Sequence, residues 1–124
     1  MTHIGIDIIE IDRVEKAIAR WGDDFLHRVY TDAELRLCEG KVQSLAGRFA
    51  AKEAAIKALR GDGTGLFLKD IEILAEDGGG PTACLYGKAR LLADRSGLSG
   101  LNVSLSHSRH NAVAIAIGTC DKHT

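Results

Sequence analysis

The sequence predicts an α+β fold, a largely antiparallel sheet packed on a long buried central helix, in one domain spanning residues 1–124. Three observations lead there. Residues 41–60 read as a helix that is apolar or small around nearly its whole circumference, residues 101–117 as a β-hairpin with one bulky face, and residues 3–11 as a strand apolar on both faces. Helices are grouped between strands instead of alternating with them, which favours antiparallel neighbours over βαβ crossovers. No internal repeat, low-complexity tract or linker divides the chain, and its length suits one modest core.

In the opening stretch "HIGIDIIEI", Ile4, Ile6 and Ile8 line one strand face while Gly5, Asp7, Ile9 and Ile11 line the other, so cover is expected on both sides. Asp12 and Glu15 then stand at capping-box spacing, with Val14, Ala17, Ile18 and Trp21 following at helical intervals. Thr31 and Glu34 repeat that spacing, flanked by Tyr30 and Leu35 as a hydrophobic staple, and predict a short helix to about Cys38.

In the long helix, Leu45, Phe49, Ile56 and Leu59 form a bulky stripe, and Ala46, Gly47, Ala50, Ala51, Ala54, Ala55 and Ala58 cover most of the rest. Lys52 falls inside the bulky stripe, whereas Glu53, Lys57 and Arg60 share a narrow arc between the two faces. Gly61, opening "GDGTG", suits a left-handed C-terminal cap. Strands near 70–75 and 82–86 flank the "DGGGP" turn, and a helix from about 88 to 96 ends at Gly97. In the closing hairpin Leu101, Val103 and Leu105 alternate with Asn102, Ser104 and Ser106. After the turn, Val113, Ile115 and Ile117 alternate with Ala112, Ala114 and Ala116, and that alanine face would let a strand approach the alanine face of the helix closely.

Composition narrows the function. A net charge of -1 supplies no field to attract nucleic acid or an anionic membrane, so neither is expected as a partner. Cys38, Cys84 and Cys120 are odd in number and lack the paired spacing of a zinc or redox motif, reading as reduced thiols of a cytoplasmic protein. No apolar run approaches the roughly 20 residues of a membrane span, and acidic residues interrupt the N-terminal apolar stretch, unlike a signal peptide. The chain is expected to begin near Met1 and to work in the cytoplasm.

The charges among these apolar faces carry the chemistry. An ionised Asp7 in a covered strand needs a cation, which either an ion-pair partner or a metal or substrate site would supply. Glu53 and Lys57, at i and i+4, are either an ordinary surface pair or part of the same site. Two carboxylates without histidine or cysteine suit a hard divalent ion, and Mg²⁺ takes one or two protein carboxylates with waters and substrate phosphates. Ser104, Ser106 and Ser108 share one strand side, either as phosphate-binding hydroxyls or as a solvated face. His107 between them reads as a hydrogen-bonded core residue, a strand-end residue or a catalyst. "GDGTG" offers unhindered backbone N–H groups but follows a helix and lacks the lysine-threonine end of a P-loop. Arg13, Lys16 and Arg20 make a basic stripe on the first helix, either solvated or a docking face for an acidic partner.

"GIDIIEI" at 5–11, "RFAAKEAAIKAL" at 48–59 and "SLSHSRHNAVAIA" at 104–116 closely resemble the three signature regions of the holo-acyl-carrier-protein synthases, the small bacterial 4′-phosphopantetheinyl transferases. Order, spacing and total length agree, and the resemblance covers nearly the whole chain. It implies that fold, and transfer of phosphopantetheine from coenzyme A to a serine of an acyl carrier protein in fatty acid biosynthesis, leaving adenosine 3′,5′-bisphosphate. It implies Mg²⁺ as cofactor on Asp7 and Glu53, with Lys57 on the same phosphates and these three as the catalytic set. Arg48, Ser106 and His107 resemble positions at the nucleotide end, and Pro81 lies in the turn expected near adenine. The base for the serine proton would be Glu53, directly or through water, or less favourably His107. The resemblance further implies a homotrimer with active sites between neighbouring chains, and a first helix that receives the carrier protein with Arg13 nearest the site. "RGDGTG" is longer than the family's usual glycine turn. Two rivals are a different Mg²⁺-dependent phosphotransfer or diphosphate-hydrolysing enzyme and a non-catalytic coenzyme A or nucleotide-binding module. Product analysis with and without a carrier protein separates them.

Overall fold

The computed structural model describes residues 2–60, 66–75 and 80–120. Strand β1 (Thr2–Glu10) leads into helices α1 (Ile11–Trp21), α2 (Asp23–Val29), α3 (Asp32–Cys38) and α4 (Val42–Ala58). A single 3₁₀ turn, Leu68–Asp70, precedes β2 (Ile71–Ala75) and β3 (Pro81–Leu85); α5 (Gly87–Arg95), β4 (Leu98–His107) and β5 (Asn111–Cys120) complete the chain. The five strands form one sheet in the order β1-β5-β4-β3-β2, every neighbouring pair antiparallel, as the α+β reading expects.

Helix α4 is the organising element because its small residues admit the sheet. Ala50, Ala51, Ala54, Ala55 and Ala58 are buried together with Ala114 and Ala116 of β5. Gly5 makes the approach of β1 possible: a methyl group there would overlap the Ala54 carbonyl oxygen and lie 2.7 Å from the Ala58 amide nitrogen. Only glycine fits a backbone laid this closely on another. The unexpected Lys52 of the bulky stripe is fully buried, and every donor of its ammonium is used: Nζ lies 2.7 Å from Glu34 Oε1 and donates to the Leu68 and Ile71 carbonyls. Beyond this ion pair, Glu34 closes the predicted capping box with Thr31 and accepts from the Ile73 amide at 2.8 Å. That network ties α3, α4 and β2 together.

Several expectations need correction. The first strand is covered on one side only: Ile4, Ile6 and Ile8 are 60%, 59% and 66% exposed, because the helices of a single chain pack on the opposite sheet face. Asp12 is not the cap of α1; β1 pairing continues to Glu10, which becomes the N-cap without a side-chain bond, and the Ile11 amide donates to the His110 carbonyl. Trp21 is 55% exposed instead of packed beside Val14, with the Arg20 guanidinium 4.9 Å over its ring. Helix α2 has no counterpart in the sequence reading, since its seven residues are too few to show a period. The left-handed residue after α4 is Arg60 (φ 58°), while Gly61 and the rest of "GDGTG" lie outside the described residues, as do residues 76–79, which include the first three positions of "DGGGP".

Candidate active site

The site is built where β1 crosses α4. Because Gly5 brings the backbones together, Asp7, two places along the same strand face, meets the charged arc of the helix. Lys57 Nζ lies 3.0 Å from Asp7 Oδ1 and 3.0 Å from the Ile6 carbonyl oxygen. This answers the need of Asp7 for a cation, and it revises the Glu53–Lys57 pair: the lysine bonds across to the strand instead of back along its helix. Glu53, one turn before Lys57 and half-buried, feels both charges. Burial first and the Asp7 charge second push its carboxyl above the usual range, with Lys57 pulling the other way. Two carboxylates that repel one another beside a single ammonium can hold a hard cation. Among the described residues no group of three or more metal-ligating side chains exists.

The other expected residues do not join this cluster within one chain. Arg48, half-buried on α4, donates from Nε to the Ile73 carbonyl of β2 at 3.0 Å. Pro81 opens β3 opposite Ala75. Ser106 pairs with Val113, which pairs with Ile8, so it belongs to the exposed sheet face opposite the one carrying Asp7. His107 pairs with Ala112 and shares the register face of Asp7, but it is exposed at the strand end and not a core residue. Ser106 and Asp7 therefore stand on opposite sides of one sheet.

Arg13, Lys16 and Arg20 are all exposed on α1, and Lys16 is 2.8 Å from Asp12 Oδ2. Beside Arg13 runs a groove of about 230 Å³ lined by Ile8, Ile9, Ala17, Phe25 and Phe49, with the Phe25 and Phe49 rings stacked at 6.4 Å. Sequence reasoning missed the groove because Phe25 sits on the unpredicted α2. It also missed the function of Gly5, for which the only sequence signal was a glycine between isoleucines. No helix among the described residues is long and apolar enough to cross a membrane.

Comparison with known proteins identifies the family. The family model for the 4′-phosphopantetheinyl transferase superfamily matches residues 3–117. A holo-[acyl-carrier-protein] synthase of Dehalococcoides mccartyi is 47% identical over 117 residues, 94% of this chain and 98% of the relative. The crystal structure of Helicobacter pylori holo-[acyl-carrier-protein] synthase in complex with coenzyme A is similar with a TM-score of 0.84 at 37% identity, covering 94% of this chain and 99% of that one. The Plasmodium yoelii acyl carrier protein synthase with ADP bound has a TM-score of 0.87 at 28% identity, covering 97% and 96%.

Proposed function

This chain belongs to the 4′-phosphopantetheinyl transferase superfamily, and from that premise we propose how its residues divide the work. It transfers the 4′-phosphopantetheine group from coenzyme A to a serine of an apo acyl carrier protein, giving holo carrier protein and adenosine 3′,5′-bisphosphate. In this reading Asp7 and Glu53 hold Mg²⁺, which when bound would neutralise charge developing on the diphosphate. The observation that carries it is the meeting of Asp7, Glu53 and Lys57 at the Gly5 contact. Lys57 binds a diphosphate oxygen and helps hold the reacting phosphorus in line. Glu53, on the helix arc beside Lys57, takes the serine proton directly or through water.

The nucleotide end of coenzyme A is assigned to Arg48, Pro81, Ser106 and His107. Since Ser106 and Asp7 occupy opposite sheet faces, one site using both must combine two chains, and this favours a homotrimer with active sites between neighbours. The row Ile4–Ile117, Ile6–Ile115 and Ile8–Val113 supplies the apolar face such an assembly would cover. The carrier protein docks on α1 through Arg13, Lys16 and Arg20, and the groove beside Arg13 supports this by offering an apolar seat between that stripe and β1. Three free thiols, with no disulfide between them, favour a reducing cytoplasmic setting.

The test is incubation with coenzyme A, Mg²⁺ and an apo carrier protein, followed by intact mass measurement. Transfer adds phosphopantetheine to the carrier and releases adenosine 3′,5′-bisphosphate only when the carrier is present. Release without the carrier would mean hydrolysis, and no release would mean a binding module.

A further inference from the structure

Lys57 has two claims on its single ammonium. In the described chain its charged partner is Asp7 Oδ1 at 3.0 Å, with the Ile6 carbonyl as second acceptor at 3.0 Å. The proposed reaction requires the same ammonium on a substrate phosphate and requires Asp7 on a divalent cation. A hard cation approaches a carboxylate oxygen to roughly 2.0–2.1 Å and repels a neighbouring ammonium strongly at such range. The pair is also asymmetric in its access to water: the Lys57 side chain is 55% exposed and that of Asp7 only 19%. The lysine can retreat to solvent along the outer arc of α4, whereas the carboxylate, fixed on a strand laid against that helix, cannot follow.

We infer that Lys57 is the resident counter-ion of Asp7 in the metal-free protein, and that metal loading is a cation exchange which frees the ammonium for an anionic oxygen of the substrate. The inference rests on the reading of Asp7 and Glu53 as the metal carboxylates. Its consequence is a coupling. Lys57 opposes metal binding while no substrate is present, and the opposition disappears once a phosphate replaces Asp7 as its partner, so metal and coenzyme A bind cooperatively. Without the exchange, Lys57 would be a phosphate ligand alone, and its removal would leave metal affinity in the free protein unchanged or weaker.

The experiment titrates Mn²⁺, as a divalent probe, into the full chain without coenzyme A by calorimetry, using wild type, Lys57→Met, Lys57→Arg and Asp7→Asn. Lys57→Met is expected to bind Mn²⁺ roughly tenfold more tightly than wild type, an ordinary size for coupling between sites. Lys57→Arg, which keeps the charge, should stay near wild type. In parallel, acetylation of Lys57 by an N-hydroxysuccinimide ester, read by peptide mass spectrometry, should accelerate several-fold when Mn²⁺ saturates the site. Lys16, paired with Asp12 on a separate helix, is the internal reference. Tighter Mn²⁺ binding with unchanged Lys57 acetylation would overturn the exchange in favour of simple repulsion at a distance. Unaltered binding by Lys57→Met, with Asp7→Asn abolishing it, would overturn the exchange and leave the metal reading standing. Wild-type binding by Asp7→Asn would sink the metal reading, and the exchange with it.

Discussion

Glu53, proposed as a metal and proton-transfer residue, is placed where its charge costs stability. Its carboxyl is raised from the ordinary value of 4.5, chiefly by burial and then by the Asp7 charge, so the ionised form is disfavoured in the fold relative to the unfolded chain. Below the unfolded value both states are protonated and Glu53 contributes nothing; above the raised folded value its ionisation subtracts from stability. Glu53→Gln should therefore raise the melting temperature of the metal-free protein by a few degrees at pH 7 and by nothing near pH 4, while removing most transfer activity, as should Asp7→Asn. Melting curves across pH beside the mass assay check this. Equal melting temperatures at pH 7 would refute the strain, and wild-type turnover would return Glu53 to an ordinary surface acid. At this scale the sequence was legible where a charge broke an apolar pattern: Asp7 among isoleucines demanded a cation, and Lys52 stood out in a bulky stripe without any sign of its partner. The partners were less legible. Lys57 read equally well as the partner of Glu53, and Glu34 read only as a capping residue, because a capping-box pattern is complete without the second carboxylate oxygen that reaches Ile73.

Among elements, the contact of β1 with α4 sets the site. Gly5→Ala puts a methyl group into the Ala54 carbonyl, and overpacking of this kind costs about 1–3 kcal/mol or more. The strand must lift away from the helix, so denaturant melts should show that loss and Mn²⁺ binding should weaken with it; a variant as stable as wild type would mean the contact is loose. Helix α1 carries the second prediction at this scale. Arg13→Glu reverses a charge beside the apolar groove and should reduce kcat/KM for the carrier protein at least roughly tenfold at low salt, less at high salt, with coenzyme A affinity unchanged. Equal loss for both substrates would indicate a damaged site, and no loss would make the stripe mere surface. Long periodic elements were legible: α4 and the β4–β5 hairpin lie within a few residues of their predicted bounds, because α4 carries apolar and small residues over many turns and the hairpin strands alternate bulky with small or polar residues. Helix α2, seven residues after the positive-φ Gly22, was not, since two turns cannot display a face.

For the whole molecule, the sequence predicts cover for both faces of β1, and the single chain supplies it on one face only. Within one chain the cover comes from α4 on one side, and Ile4, Ile6 and Ile8 remain open on the other beside Val113, Ile115 and Ile117. Hiding those three isoleucines would contribute roughly 3–5 kcal/mol per chain before the cost of association, enough to matter when the same patch recurs in each copy. The catalytic reading needs the same thing for an independent reason, since Ser106 borders that patch on the face Asp7 does not share. Ile6 stands at its centre, opposite Ile115. Wild type should accordingly run as a trimer by light scattering, and Ile6→Glu as a monomer with native circular dichroism, because a charge on a solvated sheet face does not disturb the α4 side. The same variant should lose coenzyme A affinity while keeping Asp7, Glu53 and Lys57 in place, since the half of the pocket supplied by the neighbour would be missing. A wild-type monomer active at assay dilution would overturn the assembly, and would require Ser106 to be removed from the proposed site.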